Sequence, residues 1–311
     1  MSLLKKRETP VQNIAYIGIM AAVNAVFVLI SSFLPILFIL LVFILPLTSV
    51  IVTMYCKKFY IPVYFIVTLA LTFAITAGFS IFDTFIYVFP SLVTGCLFGL
   101  LIKKNVPGIY IFIIVTIAQY VLTYLTFIFI DKVVTQVNFY NAIYQMIGLE
   151  YFVYKWVLTI IFTYVIAQMQ IALTYILVKY EMIRIGREIN LNISFRFSLY
   201  IVTVVGGTIT MLSIFFFPEW SLLFTLLVLP ITVFELFDLL MKKNMVIYIV
   251  LGIGIIASGF VFALLYPLTP SPNQLSLLYV LFAVVTIIDI IFNYCLKVNA
   301  YNIKWLIERY D

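Results

Sequence analysis

The sequence predicts an all-α integral membrane protein with about ten transmembrane helices and both termini in the cytoplasm. Of its 311 residues, 66% are hydrophobic and only 10% are charged, so too little polar surface is present to cover a soluble globule. A spanning helix needs roughly 20 mostly apolar residues, and ten such segments with their loops account for nearly the whole chain. The third observation is the regular placement of basic residues.

Basic residues occur in clusters, and the apolar stretch between successive clusters is long enough for two membrane crossings. All but two of the 18 Lys and Arg residues belong to these clusters, the exceptions being Lys132 and Lys155. The clusters are Lys5-Lys6-Arg7, Lys57-Lys58, Lys103-Lys104, Lys179 to Arg196, Lys242-Lys243 and Lys297 to Arg309. Because short loops rich in Lys and Arg stay in the cytoplasm, they predict a multi-pass protein of the bacterial inner membrane. Their charge indicates attraction to anionic lipids at the cytoplasmic face rather than binding of nucleic acid.

The predicted helices follow one another from the N-terminus. The first is interpreted as a retained membrane helix, because its apolar stretch contains no convincing cleavage site. The helices cover approximately residues 13–31, 34–56, 59–79, 82–102, 108–130, 156–178, 197–217, 220–241, 245–266 and 276–296. Pro46, Pro62, Pro90 and Pro230 fall inside these segments, where neighbouring helices have to satisfy the freed carbonyl groups. We therefore expect one or two kinked or broken helices.

Two connections are longer than the others. The outer one, residues 131–155, is rich in aromatic and amide side chains and predicts an amphipathic helix at the membrane interface. The inner one, residues 179–196, alternates charged and apolar residues and is the best candidate for a domain boundary. We therefore expect a six-helix membrane domain over residues 1–196 and a four-helix extension with a short cytoplasmic tail over residues 197–311.

Several kinds of chemistry are excluded by missing residue types. The chain has no histidine, which removes His-based catalytic triads, His-ligated haem and His-containing zinc sites. No Gly-x-x-x-x-Gly-Lys-Ser/Thr motif is present, so the chain carries no P-loop of its own. Cys56, Cys96 and Cys295 lack metal-ligand spacing. We expect no enzyme activity, no cofactor and no metal site, and active transport would need an ion gradient or a partner.

Small residues form a stripe along one face of the first predicted helix, at spacing i, i+3, i+4 and i+7. The stripe consists of Gly18, Ala21, Ala22 and Ala25. Small residues let two helix backbones approach closely. The stripe can therefore serve the helix of a partner protein or packing within the chain.

The first six predicted helices resemble, in size and helix count, the substrate-binding subunit (S component) of energy-coupling-factor vitamin transporters. In that family an AxxxA surface on helix 1 docks against the coupling subunit. Ala21 and Ala25 match its spacing, with Gly18 and Ala22 as a second, overlapping pair. The resemblance implies a small vitamin-like substrate, with a coupling membrane protein and a pair of ATPases as partners.

The whole chain is similar to the YybS-like family of bacterial polytopic membrane proteins, which resemble these subunits but carry extra C-terminal helices. One stretch that carries the similarity is FPSLVTGCLFGLLIKK in the fourth helix, where Gly95 and Gly99 are expected to serve internal packing. The other is IIDIIFNYCLK in the tenth helix, with Asp289, Phe292 and Asn293. The four extra helices depart from the six-helix pattern of the transporter subunits.

Acidic residues within the predicted membrane helices need a reason, because each costs about 2.5 to 3.5 kcal/mol at a helix centre. Glu235 and Asp238 share one face of the eighth helix, and Asp289 shares a face of the tenth with Asn293. The helical rise places Glu235 and Asp289 roughly 10 to 12 Å from the cytoplasmic lysines. These four residues form a candidate proton or cation site. Alternatively they are structural, with Asp238 pairing with Lys242 and Asp289 bonding to Asn293.

A second candidate site lies on the predicted outer side, where aromatic walls and polar anchors are typical of a substrate pocket. Its residues are Asp83, Tyr87, Asn138, Asn141, Tyr144, Gln145 and Trp156. Asp83 can instead cap the fourth helix, and Tyr and Trp at this level also form an ordinary interfacial belt. Deeper in the membrane, Asn24, Gln119 and Gln168 are expected to be interhelical hydrogen-bond partners.

The favoured interpretation is a membrane-embedded subunit that binds and translocates a small nutrient. It would capture the nutrient from outside in its six-helix half and rely on partner ATPases for energy. One alternative is a self-contained ion-coupled secondary transporter that uses the carboxylates of the eighth and tenth helices. Another is a non-transporting membrane scaffold or regulator. A lipid-modifying enzyme is disfavoured, because the chain lacks histidine and any clustered acidic motif in a loop.

Overall fold

The computed structural model describes residues 7–33, 38–77, 84–129, 132, 155–184, 196–216, 218–241, 244–268, 277 and 279–295. All regular secondary structure in these ranges is helical, which confirms the all-α class. The ranges contain ten α-helices, and each overlaps one predicted segment in order. They are α1 (Pro10–Phe33), α2 (Phe38–Tyr55), α3 (Tyr60–Thr76), α4 (Phe89–Lys103), α5 (Gly108–Phe129), α6 (Lys155–Arg184), α7 (Arg196–Phe216), α8 (Pro218–Met241), α9 (Met245–Leu265) and α10 (Tyr279–Ile290).

Among the described helices, four contain stretches long and apolar enough to cross a membrane. These are Pro10–Ser31, Gly108–Phe129, Thr159–Lys179 and Met245–Leu265. The fold is therefore an all-α arrangement whose longest apolar helices match the thickness of a bilayer. That all ten helices cross the membrane, and that both termini are cytoplasmic, stay predictions.

Two of the four prolines expected inside helices lie in a first helical turn. Pro62 follows the first two residues of α3, and Pro90 is the second residue of α4, which begins after a π-helical segment at Thr84–Val88. In the first turn the missing proline N–H removes no intrahelical hydrogen bond. Pro46 and Pro230 lie inside α2 and α8, as predicted.

The chain divides into two compact units. Unit 1 comprises Met1–Ala142 and Val165–Leu191, and unit 2 comprises Ile143–Tyr164 and Asn192–Asp311. The predicted domains, 1–196 and 197–311, assign residues 143–164 to the first half instead. Helices α1 to α5 and most of α6 belong to unit 1, and α7 to α10 belong to unit 2.

In unit 1, α2 and α4 approach each other through two glycines of α4. A Cβ atom on Gly95 would lie 2.5 Å from the carbonyl oxygen of Pro46, and one on Gly99 would lie 2.7 Å from Thr53 Cβ. Both positions therefore exclude any larger side chain unless the helices move apart. This confirms the expected role of Gly95 and Gly99 in internal packing.

At one end of unit 1, hydrogen bonds join the helix termini that carry the basic residues. The backbone N–H of Arg7 donates to the Tyr55 carbonyl at 3.0 Å, and the N–H of Lys57 donates to Asn13 Oδ1 at 3.0 Å. Lys103 Nζ donates to the Cys56 carbonyl at 3.1 Å. The start of α1, the turn between α2 and α3, and the end of α4 therefore lie together. The first four helices therefore alternate in direction, in agreement with the two crossings that are predicted between successive basic clusters.

Glycines also allow close helix packing in unit 2. A Cβ atom on Gly206 of α7 would lie 2.8 Å from Val228 of α8, and one on Gly207 would overlap the ring of Tyr279 on α10. Helix α7 therefore contacts α8 and α10 at consecutive residues. A buried cluster of aliphatic and aromatic side chains joins α8, α9 and α10. It consists of Leu239, Ile247, Leu251, Val285, Ile288 and Phe292.

Candidate functional site

The candidate site in unit 2 is built around two buried carboxylates on different helices. Glu235 on α8 is 3% exposed and Asp289 on α10 is 2% exposed. Thr286 Oγ1 donates a hydrogen bond to Glu235 Oε2 at 2.6 Å, and Tyr200 Oη donates one to Asp289 Oδ2 at 2.6 Å. Both distances lie within the normal range for hydrogen bonds between oxygen atoms. Each carboxylate is thus bound to a hydroxyl group that the apolar helices carry into the core.

The local helix geometry explains why these groups meet. Thr286 and Asp289 are three residues apart on α10 and share a face, so the hydroxyl that binds Glu235 lies one turn from the second carboxylate. Asn293 follows on the same face, within a π-helical segment at Ile291–Cys295. Its amide donates to Asp289 Oδ1. Segments of π-helix inside α-helices occur often at functional sites, and this one begins two residues after Asp289.

Two tyrosines connect α7 to α10 through hydrogen bonds. Tyr200 reaches from α7 to Asp289, and Tyr279 reaches from α10 to the Thr203 carbonyl at 3.0 Å. The ring of Tyr279 occupies the space over Gly207 that any side chain there would fill. The three helices α7, α8 and α10 therefore share one polar cluster, which we call the carboxylate cluster: Tyr200, Glu235, Thr286, Asp289 and Asn293.

The structure brings together three of the four residues of the predicted ion site. Glu235, Asp289 and Asn293 belong to the carboxylate cluster, while the side chain of Asp238 lies outside the described residues. The bond from Asn293 to Asp289 is the one that the structural alternative predicts. In the described part of the chain, no group of three or more His, Cys, Asp or Glu residues is placed to hold a metal ion. Whether the cluster binds a proton or another cation stays a prediction.

Sequence reasoning missed Tyr200 and Thr286. The sequence signal for Tyr200 was its distance from the basic end of its helix. It lies one helical turn from Arg196, and its long side chain can reach the distance from the cytoplasmic lysines that the sequence predicts for Asp289. The signal for Thr286 was its i−3 position relative to Asp289. Both are neutral hydroxyl groups, which periodicity and charge patterns do not single out.

Most of the predicted outer pocket lies outside the described residues. This applies to Asp83, Asn138, Asn141, Tyr144 and Gln145, and to the side chain of Trp156 at the start of α6. Tyr87 is half-buried in the π-helical segment before α4 and packs against the apolar core of unit 1. The substrate pocket therefore stays a prediction.

The small-residue stripe of α1 divides into an inner and an outer pair. Ala21 and Ala25 are buried, at 0% and 6% exposure. Gly18 and Ala22 are exposed, and nothing lies within 4 Å of a Cβ atom built on Gly18. Within the described residues, the pair that matches the AxxxA spacing faces the interior, and the overlapping pair faces outward. Docking of a partner helix at either pair stays a prediction.

Unit 1 contains two buried polar clusters made only of neutral groups. In the first, Asn24 Nδ2 donates to Tyr64 Oη at 2.8 Å and Asn24 Oδ1 accepts from Thr48 at 2.7 Å, which links α1, α2 and α3. These bonds confirm the predicted role of Asn24. We call this cluster the Asn24 network.

The second neutral cluster links α4, α5 and α6. Gln119 accepts from Thr94 Oγ1 at 2.7 Å and donates to Gln170 Oε1 at 2.8 Å, and Gln170 donates to Ser91 Oγ at 2.8 Å. The predicted role of Gln119 is confirmed, and we call this cluster the Gln119 network. The α6 residue in it is Gln170. Gln168 is also buried, but none of the described residues bonds to its amide.

These features define the class of the molecule as a helical protein with apolar helices of membrane-spanning length and polar side chains collected in buried clusters. No protein-family model, no curated protein and no solved structure matches the chain. The similarity to YybS-like proteins and to energy-coupling-factor substrate-binding subunits therefore stays a prediction.

Proposed function

We propose that the chain is a multi-pass membrane transport protein for a small solute, and that its carboxylate cluster binds the coupling ion, a proton. The observation that carries the proposal is the burial of Glu235 and Asp289 on neighbouring helices, each bound to a hydroxyl group. Ionisable groups inside membrane helices are rare and commonly mark ion and proton pathways. The stretches 197–241 and 244–296, which supply the cluster, contain no Lys or Arg.

The chemistry of the hydrogen-bond partners favours reversible protonation. A hydroxyl group can donate to a carboxylate, and after rotation it can accept from a carboxylic acid. Tyr200 and Thr286 can therefore stay bonded to Asp289 and Glu235 in both protonation states. Lysine and arginine have no acceptor and would favour only the ionised state. These two hydroxyl partners thus suit a site that gains and loses a proton during a transport cycle.

The placement of the cluster gives protonation a means of moving helices. Tyr200 lies on α7, Glu235 on α8 and Asp289 on α10, so protonation of either carboxyl group can reverse the donor and acceptor of a hydrogen bond between helices. A ligand shifts a conformational equilibrium only through its differential affinity for the two states. In the proposed cycle, the proton binds more tightly to the conformation in which these interhelical bonds are rearranged.

The test is electrical recording from proteoliposomes that contain the purified full chain, with B vitamins, amino acids and nucleosides supplied one at a time. We expect at least one solute to produce a transport current that depends on pH. Glu235→Gln and Asp289→Asn should abolish this pH dependence, whereas the exposed control Glu8→Gln should keep it. The proposal is wrong if both cluster variants transport with the pH dependence of the unmodified chain, or if no solute produces a current.

A second candidate function is a substrate-binding subunit of the energy-coupling-factor type, and the exposed pair Gly18 and Ala22 on α1 favours it. Such a subunit would bind a vitamin-like nutrient and dock on a coupling membrane protein with two ATPases. Mass spectrometry of proteins that co-purify with the tagged chain tests this. Gly18→Leu should release these partners without loss of folded protein, since no atom lies near that position. Purification of the chain without ATPases would contradict this candidate.

A further inference from the structure

Two pairs of lysines lie next to each other at the basic end of unit 1. Lys57 and Lys58 form the turn between α2 and α3, and Lys103 and Lys104 end α4. All four are exposed. Lys103 Nζ donates a hydrogen bond at 3.1 Å to the carbonyl of Cys56. Cys56 is the residue directly before Lys57. The two pairs therefore form one patch with four positive charges, which we call the lysine patch.

The backbone that carries the lysine patch is well defined by hydrogen bonds. In the first turn, the N–H of Lys57 donates to Asn13 Oδ1 and the N–H of Tyr60 donates to the Lys57 carbonyl, both at 3.0 Å. In the second, Asn105 adopts a left-handed conformation with φ of 55°, and the Val106 N–H donates to the Leu101 carbonyl at 3.1 Å. Asparagine tolerates this conformation better than most residues. The lysines thus project from two fixed turns.

The charge around the patch is strongly unbalanced. Among residues 1–130 the only acidic residues are Glu8 and Asp83. Glu8 is exposed near the start of α1, which lies at the same end of the unit as the lysine patch. A group with one or two negative charges would therefore meet a net positive surface there.

An exposed apolar face begins directly beside the charged patch. Phe59 follows Lys58 and is 80% exposed, and Val63 and Ile66 continue the exposed face along α3. A phosphate on the lysines would thus leave an attached acyl chain in contact with these three side chains. This combination of a cationic turn and an adjoining apolar helix face matches an amphiphile and distinguishes it from a free phosphate or a nucleic acid.

We propose that the lysine patch and the exposed face of α3 form a binding site for an anionic phospholipid, with two-phosphate lipids bound most tightly. Lys57, Lys58 and Lys104 contact the phosphate groups. Lys103 lies in the same patch with its ammonium group bonded to backbone carbonyls. The acyl chain lies along Phe59, Val63 and Ile66. Within the described residues, three lysines with free ammonium groups, together with the charge of Lys103, explain the preference for two phosphates over one.

Native mass spectrometry of the detergent-solubilised full chain tests this site, with cardiolipin, phosphatidylglycerol and phosphatidylcholine added separately. We expect tightest binding of cardiolipin, and weakening by about 30-fold in the double variant Lys57→Gln/Lys58→Gln, since each such lysine contributes about a fivefold effect. The matched control is Lys242→Gln/Lys243→Gln, which removes the same charge from unit 2 and should leave the binding unchanged. Thermal unfolding without lipid verifies that both double variants are folded.

The remaining outcomes distinguish a lipid site from simpler attraction. Phe59→Ser should weaken cardiolipin binding but leave binding of inorganic phosphate unchanged. Equal weakening in the two double variants would overturn the proposal in favour of general charge attraction. Equal binding of phosphatidylcholine, or full displacement of cardiolipin by millimolar inorganic phosphate, would overturn it as well.

Discussion

The buried polar clusters described in the two units differ in chemical kind. In unit 1 the Asn24 and Gln119 networks consist of neutral amides and hydroxyls that bind one another. In unit 2 the buried polar groups include Glu235 and Asp289, which can carry charge. A neutral network keeps the same donors and acceptors at every physiological pH, whereas a carboxyl group that only accepts becomes a donor as well when it gains a proton. We therefore assign a structural role to the neutral networks of unit 1. The carboxylate cluster of unit 2 suits a region that changes conformation.

The two units also differ in the kind of atom that blocks a larger side chain at their closely packed glycines. At Gly95 in unit 1, the obstacle to a larger side chain is the backbone carbonyl of Pro46. At Gly207 in unit 2, the obstacle is the ring of the buried Tyr279 side chain, whose hydroxyl donates to the Thr203 carbonyl. At these two glycines, the closest contact is therefore with the backbone in unit 1 and with a side chain in unit 2.

The largest effect should come from Gly95→Ala, which places a methyl group 2.5 Å from the Pro46 carbonyl oxygen. Because α2 and α4 have to separate, we expect a loss of about 3 kcal/mol or more in the free energy of unfolding. Unfolding of the purified protein in mixed micelles measures this. Gly207→Ala should cost less, because only the Tyr279 ring has to move. A smaller loss for Gly95→Ala than for Gly207→Ala would remove the contrast between the units.

The second prediction concerns the Gln119 network. Gln119→Leu removes the partner of Thr94 and Gln170 and leaves buried polar groups without their bonds, at about 2 kcal/mol in unfolding free energy. The loss should be the same between pH 5 and pH 8, because no group in the network titrates there. Unfolding curves at several pH values measure it. A loss that changes with pH would show that unit 1 is electrostatically coupled to a titrating group.

A third prediction tests the hydroxyl that binds Asp289. Tyr200→Phe removes one hydrogen bond to a buried carboxylate, an interaction of about 1.5 to 3 kcal/mol. If the cluster works by reversible protonation, Tyr200→Phe should shift the pH at which transport is half-maximal. Tyr279→Phe loses a bond to a backbone carbonyl instead, and should leave this pH nearly unchanged. Transport currents over a pH series measure both. Equal shifts in the two variants would contradict a specific role of Tyr200.

The sequence predicted the helices well and the faces of the helices less well. Segment order follows from apolar run length and from basic clusters such as Lys57-Lys58 and Lys103-Lys104, which are local properties of the chain. The partner of Asp289 is not local, since Tyr200 is 89 residues away, and only the packing of α7 against α10 brings the two together. On α1, Ala21 and Gly18 fit the same small-residue pattern, yet one is buried and the other exposed. Spacing cannot decide between two overlapping pairs, because that choice depends on which neighbours pack against the helix.

The smallest predicted effect concerns the basic end of unit 1 and Asn13. Its side chain accepts from the N–H of Lys57 at 3.0 Å and donates to the Thr9 carbonyl at 2.8 Å, so it joins the start of α1 to the turn between α2 and α3. Asn13→Ala should cost about 1 kcal/mol in unfolding free energy and should also weaken cardiolipin binding, because Lys57 and Lys58 are then held less firmly. Gln12→Ala, at a partly exposed neighbour whose bonds stay close to the first turn of α1, is the matched control. If Asn13→Ala lowers stability but leaves lipid binding intact, the fixed geometry of the turn does not contribute to the lipid site, and charge alone accounts for the affinity.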